Sequence, residues 1–437
     1  MLKYKNIMER LIEKQLIKWK DNPSKMPLVL LGARQVGKTH TVFNFGKAHY
    51  KDIVVLNFEN NNPLKAIFEQ DAEPERIVSE LEKYTLRSIS PETLIFFDEI
   101  QACPKALTSL KYFTEKAPEY NIIAAGSLLG VAVSREGFSF PVGKVDRLAM
   151  YPMNFEEFLL GLGEKRLIAE IKDSYAGDSD LQQNIHNKAL DLYNLYLVVG
   201  GMPKAVLEYK EKNDFEFVRI IQRQILADYD TDMVKYAGAS DSVKIRAIYS
   251  SIPAQLAKEN RKFQYSLIGS NARAVTYEAG LQWLTDAGLI YKCGKVSEGK
   301  IPLKGYLDLL SYKIYMNDTG LLNCHSETPP ALVMSGKYGA EAKGAISENY
   351  IMQQLVFSGL TPYYWESQGK AEVDFVLQTG SSVLPIEAKS ADNTKAKSLT
   401  VFVKKYGIEK SVRVSSKNFG FENNIKSVPL YAAFCIG

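Results

Sequence analysis

At 437 residues the chain is long enough to form about two to four domains with well-buried cores. Its hydrophobic content of 46%, charged content of 24% and formal net charge of +4 are ordinary for a soluble globular protein, and this charge is too small to indicate a nucleic-acid partner by itself. No apolar run approaches the roughly 18 residues of a membrane span, and the charged amphipathic start lacks a signal-peptide core. We therefore expect a cytoplasmic protein without a membrane partner.

The cysteine and histidine positions argue against a disulfide framework and a zinc site. The four cysteines are far apart and lack CxxC spacing, and the four histidines are scattered. The adjacent pair Cys324 and His325 is interpreted as a loop contact rather than a metal site. This usage agrees with a reducing compartment.

The first predicted elements are a strand, a loop and a helix between residues 27 and 45. After an apolar strand, Gly32, Gly37, Lys38 and Thr39 match the pattern G-x-x-x-x-G-K-S/T. In such a loop, backbone N–H groups and the helix N-terminus face the phosphates of a nucleotide. Lys38 is predicted to reach the β- and γ-phosphates, and Thr39 to supply an oxygen to Mg²⁺. The predicted ATP-binding loop consists of Gly32, Ala33, Arg34, Gln35, Val36, Gly37, Lys38 and Thr39.

Two adjacent carboxylates lie at the end of the third predicted strand. After a predicted strand at 52–59, consecutive apolar residues at 94–97 predict a parallel strand that ends in Asp98 and Glu99. Such a strand leaves both carboxylates at the sheet edge that also holds the phosphates. We expect Asp98 to hold the Mg²⁺ shell and Glu99 to orient or activate the attacking water. ATP and Mg²⁺ are therefore the predicted cofactors.

Other polar residues near this edge have two interpretations each. Ser127, in a predicted strand at 121–130, is either a contact to the γ-phosphate or a helix N-cap. Arg34, Arg135 and Arg147 are candidates for stabilising transition-state charge, although a surface charge is the favoured interpretation of each.

The middle of the chain changes to a helical pattern. Apolar spacing between 156 and 235 predicts an all-helical lid, interrupted by a turn or hinge signal at 200–203. Helices predicted around 242–257 and 271–286, followed by strands at 288–296 and 310–318, are typical of a winged helix.

The target of this predicted winged helix is left open by the sequence. Arg261, Lys262 and Arg273 add positive charge near its would-be recognition region. Winged helices bind DNA but also serve as protein-contact modules, so both DNA and a protein are candidate partners.

Near the C-terminus, ionisable residues occur in two strands that otherwise resemble core. A turn centred on Gly380 and Ser381 would place Asp374 opposite Glu387, with carboxylates roughly 5 Å apart. Lys389 lies two residues after Glu387 and hence on the same strand face. A divalent cation held by Asp374 and Glu387 would relieve their repulsion.

With these pieces in order, the chain resembles a family of prokaryotic AAA-type ATP-binding proteins. In that family the C-terminal half is a domain of uncharacterised function that contains a winged helix and a PD-(D/E)xK nuclease-like fold. The resemblance covers nearly the whole chain. It rests on "LGARQVGKT", "LIFFDEIQ", "AAGSLLG", "YPMNFEEFL", "VVGGMPKAV", "DAGLIYKC", "YMNDTGLL", "GAISENYIMQQL" and "EVDFVLQTGSSVLPIEAKS".

The resemblance implies roles for the C-terminal residues. In PD-(D/E)xK nucleases an aspartate and a glutamate on adjacent strands bind Mg²⁺, and a lysine polarises the attacking water or stabilises phosphate charge. By resemblance these are Asp374, Glu387 and Lys389, and Glu348 on the helix predicted at 343–357 completes the site. Glu348 must then project toward the metal and not toward solvent.

The predicted fold class is α/β: a P-loop AAA-type ATPase core with a helical lid, a winged-helix module and a restriction-endonuclease-like α/β domain. The expected function is a Mg²⁺-dependent ATPase that controls a nuclease-like, DNA-directed module. The alternative is a regulatory or scaffold ATPase whose C-terminal domain binds protein or nucleic acid without cleavage. A homo-oligomer is left open. The predicted domains are 1–155 (ATPase core), 156–235 (lid), 236–330 (winged helix) and 331–437 (nuclease-like domain).

Overall fold

Two β-sheets organise the chain into two units. The computed structural model describes residues 8–127, 131, 140–258, 261–270, 272–337, 339–367, 371–389 and 397–437. Residues 10–151 with 286–288 form the first unit, called the N-terminal unit below. Residues 152–285 and 289–437, together with residues 8 and 9, form the C-terminal unit.

The N-terminal unit is built on a parallel sheet with strand order β2-β3-β4-β1-β5. Its strands are β1 (Leu28–Leu31), β2 (Asp52–Asn57), β3 (Thr93–Asp98), β4 (Asn121–Ala125) and β5 (Asp146–Ala149). Its helices are α1 (Glu13–Asp21), α2 (Lys38–His49), α3 (Asn62–Glu69), α4 (Pro74–Thr85) and α5 (Pro104–Lys116). Each predicted apolar run contains a strand, but β2 ends at Asn57 and not at 59, and β4 ends at Ala125, before Ser127.

The apolar run of β3 is buried along its whole length because β2 and β4 flank it in the sheet. Phe97 packs edge-to-face against Phe58 and Phe68, with ring centroids 5.6 Å apart in both pairs. This packing fixes the end of β3. Asp98 and Glu99 are consequently presented at the carboxyl edge of the sheet.

The C-terminal unit begins with a series of helices. They are α6 (Phe155–Leu162), α7 (Lys165–Gly177), α8 (Gln183–Val199), α9 (Pro203–Lys212) and α10 (Phe215–Ala237). The turn predicted at 200–203 is confirmed, since it separates α8 from α9. Among the helices that the structure describes, none is long and apolar enough to cross a membrane.

The remaining helices of this unit alternate with strands. They are α11 (Ala239–Leu256), α12 (Ala274–Asp286), α13 (Thr319–His325), α14 (Pro330–Ser335), α15 (Ala340–Phe357) and α16 (Lys397–Tyr406). The strands are β6 (Ile290–Val296), β7 (Leu307–Met316), β8 (Tyr363–Ser367), β9 (Ala371–Thr379), β10 (Ser382–Ala388), β11 (Ser411–Ser415), β12 (Gly420–Glu422) and β13 (Ile425–Pro429).

These strands form one mixed sheet in the order β12-β13-β11-β10-β9-β8-β6-β7. The helices and the antiparallel β6–β7 pair expected of a winged helix are present, but β6 also pairs in parallel with β8. The two strands of the expected wing are therefore part of the sheet that carries β9 and β10. The boundary predicted at 330/331 lies within α14.

The β9–β10 hairpin has the register predicted from the turn. Ser382 pairs with Thr379 and Ile386 pairs with Phe375, so the turn is centred on Gly380 and Ser381. Continuing this register by one pair places Glu387 opposite Asp374. The structure thereby confirms the alignment on which the carboxylate pair was predicted.

Four of the motifs that carry the family resemblance meet in a buried polar network. The Met153 N–H donates to the Gly201 carbonyl at 2.7 Å, and the Gly201 N–H donates to Asp318 at 2.6 Å. The Thr319 hydroxyl, next to Asp318, donates to Gln353 Oε1 of α15 at 2.9 Å. A side chain at Gly201 is excluded, since a Cβ there would lie 1.9 Å from the Met153 carbonyl oxygen. These motifs therefore fix the internal packing of the C-terminal unit.

Candidate functional site

The phosphate-binding loop connects β1 to α2 and depends on its two glycines. Gly32 has φ 145° and Gly37 has φ 97°, both in the region that favours glycine. A Cβ at Gly32 would lie 2.1 Å from the Met150 carbonyl oxygen. The buried Arg10 braces the loop by donating to the carbonyls of Val36 and Tyr151, each at 2.8 Å.

Lys38 is the first residue of α2 and is buried. Its Nζ donates to the carbonyl oxygens of Gly32 and Ala33, both at 2.8 Å. The ammonium group is therefore held across the mouth of the loop, where it can exchange these carbonyl partners for a phosphate. Burial lowers the pKa of Lys38 to about 8, against the opposing charges of Glu99 and Asp98.

Thr39 and Asp98 meet at the edge of the sheet. The Thr39 hydroxyl lies 3.1 Å from Oδ1 and 3.2 Å from Oδ2 of Asp98. Asn57, which pairs with Asp98 across β2 and β3, donates to Oδ2 at 3.3 Å. Burial, and then the neighbouring charge of Glu99, raises the pKa of Asp98. A hydroxyl and a carboxylate are oxygen donors of the kind that Mg²⁺ prefers.

Glu99 and Ser127 also lie side by side. β3 and β4 are neighbouring parallel strands, and Asp98 is aligned with Ala125. Ser127 therefore reaches Glu99, and its hydroxyl donates to Glu99 Oε2 at 3.3 Å. The N-cap interpretation of Ser127 falls on a segment outside the described residues.

Two of the three candidate arginines, Arg34 and Arg147, lie within the residues that the structure describes. The charge of Arg34 is close enough to Lys38 to contribute to the lowered Lys38 pKa. Arg147 in β5 lies with its guanidinium 4.2 Å from the ring centroid of Phe140. Arg135 lies outside the described residues.

A second group of ionisable side chains occupies the mixed sheet of the C-terminal unit. The Asp374 carboxylate accepts a hydrogen bond from the Ala388 N–H at 2.8 Å. Lys389 Nζ lies 2.7 Å from Glu387 Oε1. The buried Glu387 Oε2 atom has no hydrogen-bond partner among the residues that the structure describes.

Glu348 on α15 bonds the Asp374 side chain and does not project to solvent, with only 3% of the residue exposed. It bonds Arg261 through Oε1 and accepts from the Tyr315 hydroxyl through Oε2 at 3.1 Å. Burial raises the pKa of Asp374 well above its usual range, helped by the negative charge of Glu348. For Glu348 burial acts upward, but the charges of Lys313 and Arg261 outweigh it and lower the pKa. The two carboxyl groups are thus shifted in opposite directions, with the proton favoured on Asp374 and the negative charge on Glu348.

Internal cations compensate the carboxylates of this sheet. Lys313 in β7 is fully buried, with Nζ 2.5 Å from Glu372 and 3.7 Å from Glu348. Lys262 pairs with Glu366 at 2.5 Å. Arg261 and Lys262 were expected to supply positive charge near a recognition surface, and both are instead engaged by glutamates of the same unit.

Comparison with known protein families assigns the phosphate-binding part. Residues 24–159 match the family model of the AAA domain. This region is an ATP-binding AAA-type domain. Residues 190–331 match Domain of unknown function (DUF8612), and residues 343–433 match Domain of unknown function (DUF4143).

Individual relatives are distant. The uncharacterized protein MJ1544 of Methanocaldococcus jannaschii is 26% identical over 243 residues, which is 55% of this chain and 47% of that protein. The match therefore spans about half the length of this curated relative. The walker-type ATPase paby2304 of Pyrococcus abyssi is 16% identical with a TM-score of 0.46, covering 73% of this chain and 96% of that one. The ORC2 protein of Aeropyrum pernix is 12% identical with a TM-score of 0.38, covering 77% and 97%. Both TM-scores lie below 0.5, and no assignment rests on them.

Several contacts of the AAA domain could not be found from the motifs alone. Arg10 is remote in sequence from the loop that it supports, Asn57 is remote from its partner Asp98, and nothing local marks either of them. Gln101 is the last residue of "LIFFDEIQ", but the sequence pattern gives no sign of its bond to Glu99. In the C-terminal unit, Lys313 is a charged residue within the apolar strand β7. Like Asp374 within β9, it could have indicated a buried ionic contact from the sequence.

Raising the pH above about 8 is expected to weaken ATP binding by the AAA domain. Lys38 has a lowered pKa of about 8 and therefore loses its proton above this pH. The protonated amine binds phosphate, so binding is strongest below this pKa. It should fall about tenfold for each pH unit above it. The dissociation constant of a fluorescent ATP analogue between about pH 7.5 and 9.5 measures this. Lys38→Arg keeps its charge throughout and should show no such slope, and a flat wild-type profile would contradict the prediction.

Proposed function

We propose that this chain is a Mg²⁺-dependent ATPase whose nucleotide state controls a nuclease-like, DNA-directed module in the C-terminal unit. The ATPase half is carried by one observation: the Thr39 hydroxyl, the Asp98 carboxylate and the buried Lys38 ammonium converge at the end of the parallel sheet. These are the groups that phosphoryl transfer requires for holding metal and phosphate.

Each residue of the AAA domain has a distinct part in this proposal. Lys38 exchanges its two carbonyl partners for the β- and γ-phosphates of ATP. Thr39 and Asp98 would hold Mg²⁺, which supplies charge neutralisation to the phosphates when it is bound. Glu99 accepts a proton from the attacking water, and Ser127 keeps the Glu99 carboxylate in place. The products are ADP and phosphate.

The nuclease-like half rests on the carboxylates of the mixed sheet. Extending the β9–β10 register by one pair places Asp374 opposite Glu387, and Glu387 Oε2 is a buried oxygen without a partner among the described residues. Among those residues, no group of three or more His, Cys, Asp or Glu side chains is arranged to hold a metal. In this proposal a divalent cation would take only Asp374 and Glu387 as protein ligands and complete its shell with water. Lys389 would stabilise phosphate charge, and Glu348 would orient Asp374.

A scaffold role without cleavage is the second candidate, and two observations favour it. Lys313 and Arg261 already compensate Glu348 and Glu372 from within the unit. Moreover, α12, the would-be recognition helix, contains no lysine or arginine. Its Val275 is 96% exposed, which suits a protein contact better than the phosphate backbone of DNA.

Cleavage of DNA distinguishes the two candidates. Glu387→Ala is expected to lower the rate of Mg²⁺- or Mn²⁺-dependent DNA cleavage by about 10²-fold or more, because the cation loses one of its two carboxylate ligands. Linear, circular and single-stranded DNA are incubated with and without ATP, using wild type, Glu387→Ala and Lys38→Ala. Glu422→Ala, at an exposed glutamate of the same sheet, is the matched control.

Each outcome of this experiment assigns the C-terminal unit. Cutting that requires both Glu387 and ATP binding through Lys38 supports the controlled nuclease. Cutting that survives in Glu387→Ala would remove that residue from the site. Intact ATP hydrolysis with no cutting under any condition would establish the scaffold alternative.

A further inference from the structure

Glu99 makes a short hydrogen bond to a residue that the proposed mechanism has not yet used. Gln101 Nε2 lies 2.5 Å from Glu99 Oε2. Glu99 has a left-handed backbone, φ 51°, and is followed by a 3₁₀ turn over Ile100–Ala102. This tight turn lets two side chains that are two residues apart meet at the end of β3.

The chemistry of the pair fixes the orientation of the Gln101 amide. An ionised carboxylate has no proton to donate, so it must face the NH₂ group and not the amide oxygen. The Gln101 Oε1 atom consequently points away from Glu99. That oxygen is buried and accepts no hydrogen bond from the residues that the structure describes.

Two locally unfavourable features therefore occur within three residues. A left-handed conformation is uncommon for glutamate, and a buried acceptor without a partner is destabilising. Such features persist where the surrounding structure requires them, and they concentrate at functional sites. A methionine at position 101 would fill similar space without leaving a polar atom unsatisfied.

The donors on Glu99 also select between its two oxygens. Gln101 and Ser127 both donate to Oε2, at 2.5 Å and 3.3 Å. Neither bond involves Oε1. The carboxylate is thus held in one rotation, with Oε1 left as the oxygen that can accept a proton from water.

We propose that Gln101 is a positioning residue for ATP hydrolysis, which fixes the Glu99 carboxylate so that Oε1 meets the attacking water. This inference rests on the proposed role of Glu99. Gln101 touches neither nucleotide nor water in this scheme. Its effect must therefore pass through Glu99 and must affect the hydrolysis step, leaving nucleotide binding unchanged.

Gln101→Met tests the proposal in the full-length chain. The kcat for ATP is expected to fall about 10- to 100-fold, the range for a misplaced catalytic group. The KM and the nucleotide dissociation constant should stay within about twofold, because the phosphate contacts are untouched. Gln70→Met, at an exposed glutamine of the same unit, should leave all three values unchanged.

A double-mutant cycle separates positioning from packing. In a Glu99→Gln background, which should itself hydrolyse ATP slowly, adding Gln101→Met should change kcat less than about twofold. If Gln101 acts only by packing, its loss would be the same in both backgrounds and the proposal would be overturned. An unchanged or increased kcat in Gln101→Met would overturn it as well.

Two further measurements keep the test decisive. Gln101→Asn replaces Gln101→Met if the methionine variant does not fold. It retains the amide but is one methylene shorter, so its kcat should also fall. Folding is checked by thermal unfolding and retained nucleotide binding. Wild-type turnover in Glu99→Gln would refute the proposed role of Glu99 itself. Slow turnover there with normal turnover in Gln101→Met and Gln101→Asn would refute only the inference about Gln101.

Discussion

Lys38→Ala is expected to lower ATP turnover by about 10³-fold or more and to weaken nucleotide binding strongly. The Lys38 ammonium is buried at the start of α2 and bonded to the Gly32 and Ala33 carbonyls, both at 2.8 Å. A buried cation interacts with phosphate in a low-dielectric surrounding, where its attraction is much stronger than in water. Without it, the triphosphate would face mainly backbone N–H groups. Steady-state hydrolysis and titration with a fluorescent ATP analogue measure the two effects.

The same variant needs a control for folding, because it also leaves two loop carbonyls without their donor. Lys51→Ala removes an exposed lysine of the same unit, which pairs with Glu92 at 3.1 Å on the surface. It should hydrolyse ATP at the wild-type rate. Thermal unfolding of both variants shows whether the sheet is intact. Hydrolysis by folded Lys38→Ala at the wild-type rate would refute the assignment of the phosphate-binding loop.

How far the sequence predicts a site depends on how local its determinants are. The phosphate-binding loop was predictable because its glycines, lysine and threonine lie within eight residues, from Gly32 to Thr39. The β9–β10 register was predictable because one short turn sets it. Arg10 and Asn57 were not predictable, since the first is joined to the loop across the fold and the second depends on the alignment of parallel strands.

The ion network of the mixed sheet was only partly predictable, because its members are remote from one another in the sequence. Asp374 and Glu387 are conspicuous in the sequence because they are charged residues within apolar strands. Lys313 interrupts β7 in the same way, but its partners Glu348 and Glu372 come from α15 and β9. Sequence spacing cannot show which anomalies meet. Arg261 was likewise expected near a recognition surface. It instead bonds Glu348, and this could not be predicted because the two residues are 87 positions apart in the sequence.

The motifs of the family resemblance carry a further lesson. "VVGGMPKAV" and "YMNDTGLL" contain the residue types of a binding loop. In the structure, Gly201 and Asp318 are instead bonded to each other at 2.6 Å, and Asp318 is fully buried. Burial raises the pKa of Asp318 to about 6, and backbone N–H groups oppose this shift. A distinctive polar motif can thus encode packing, and only the geometry separates this from chemistry.

Lys313→Met is expected to destabilise the C-terminal unit by about 3–5 kcal/mol, the usual effect of removing one partner from a buried ion network. The Lys313 side chain is 0% exposed, and those of Glu348 and Glu372 are 4% and 27% exposed. Methionine preserves the volume but leaves both carboxylates without this cation. Urea unfolding followed by tryptophan fluorescence measures the change. Trp283 and Trp365 both lie in this unit and are buried.

The destabilisation should depend on charge and not on packing. Adding Glu372→Gln to Lys313→Met removes one of the uncompensated carboxylates and should recover part of the lost stability. Lys188→Met, at a lysine that is 54% exposed and pairs with Glu164 at 2.6 Å, should change stability little. If Lys313→Met unfolds at the wild-type urea concentration, the cation does not hold the cluster together. The carboxylates would then have to be compensated by Arg261 or by their own protonation, and the network would lose its structural role.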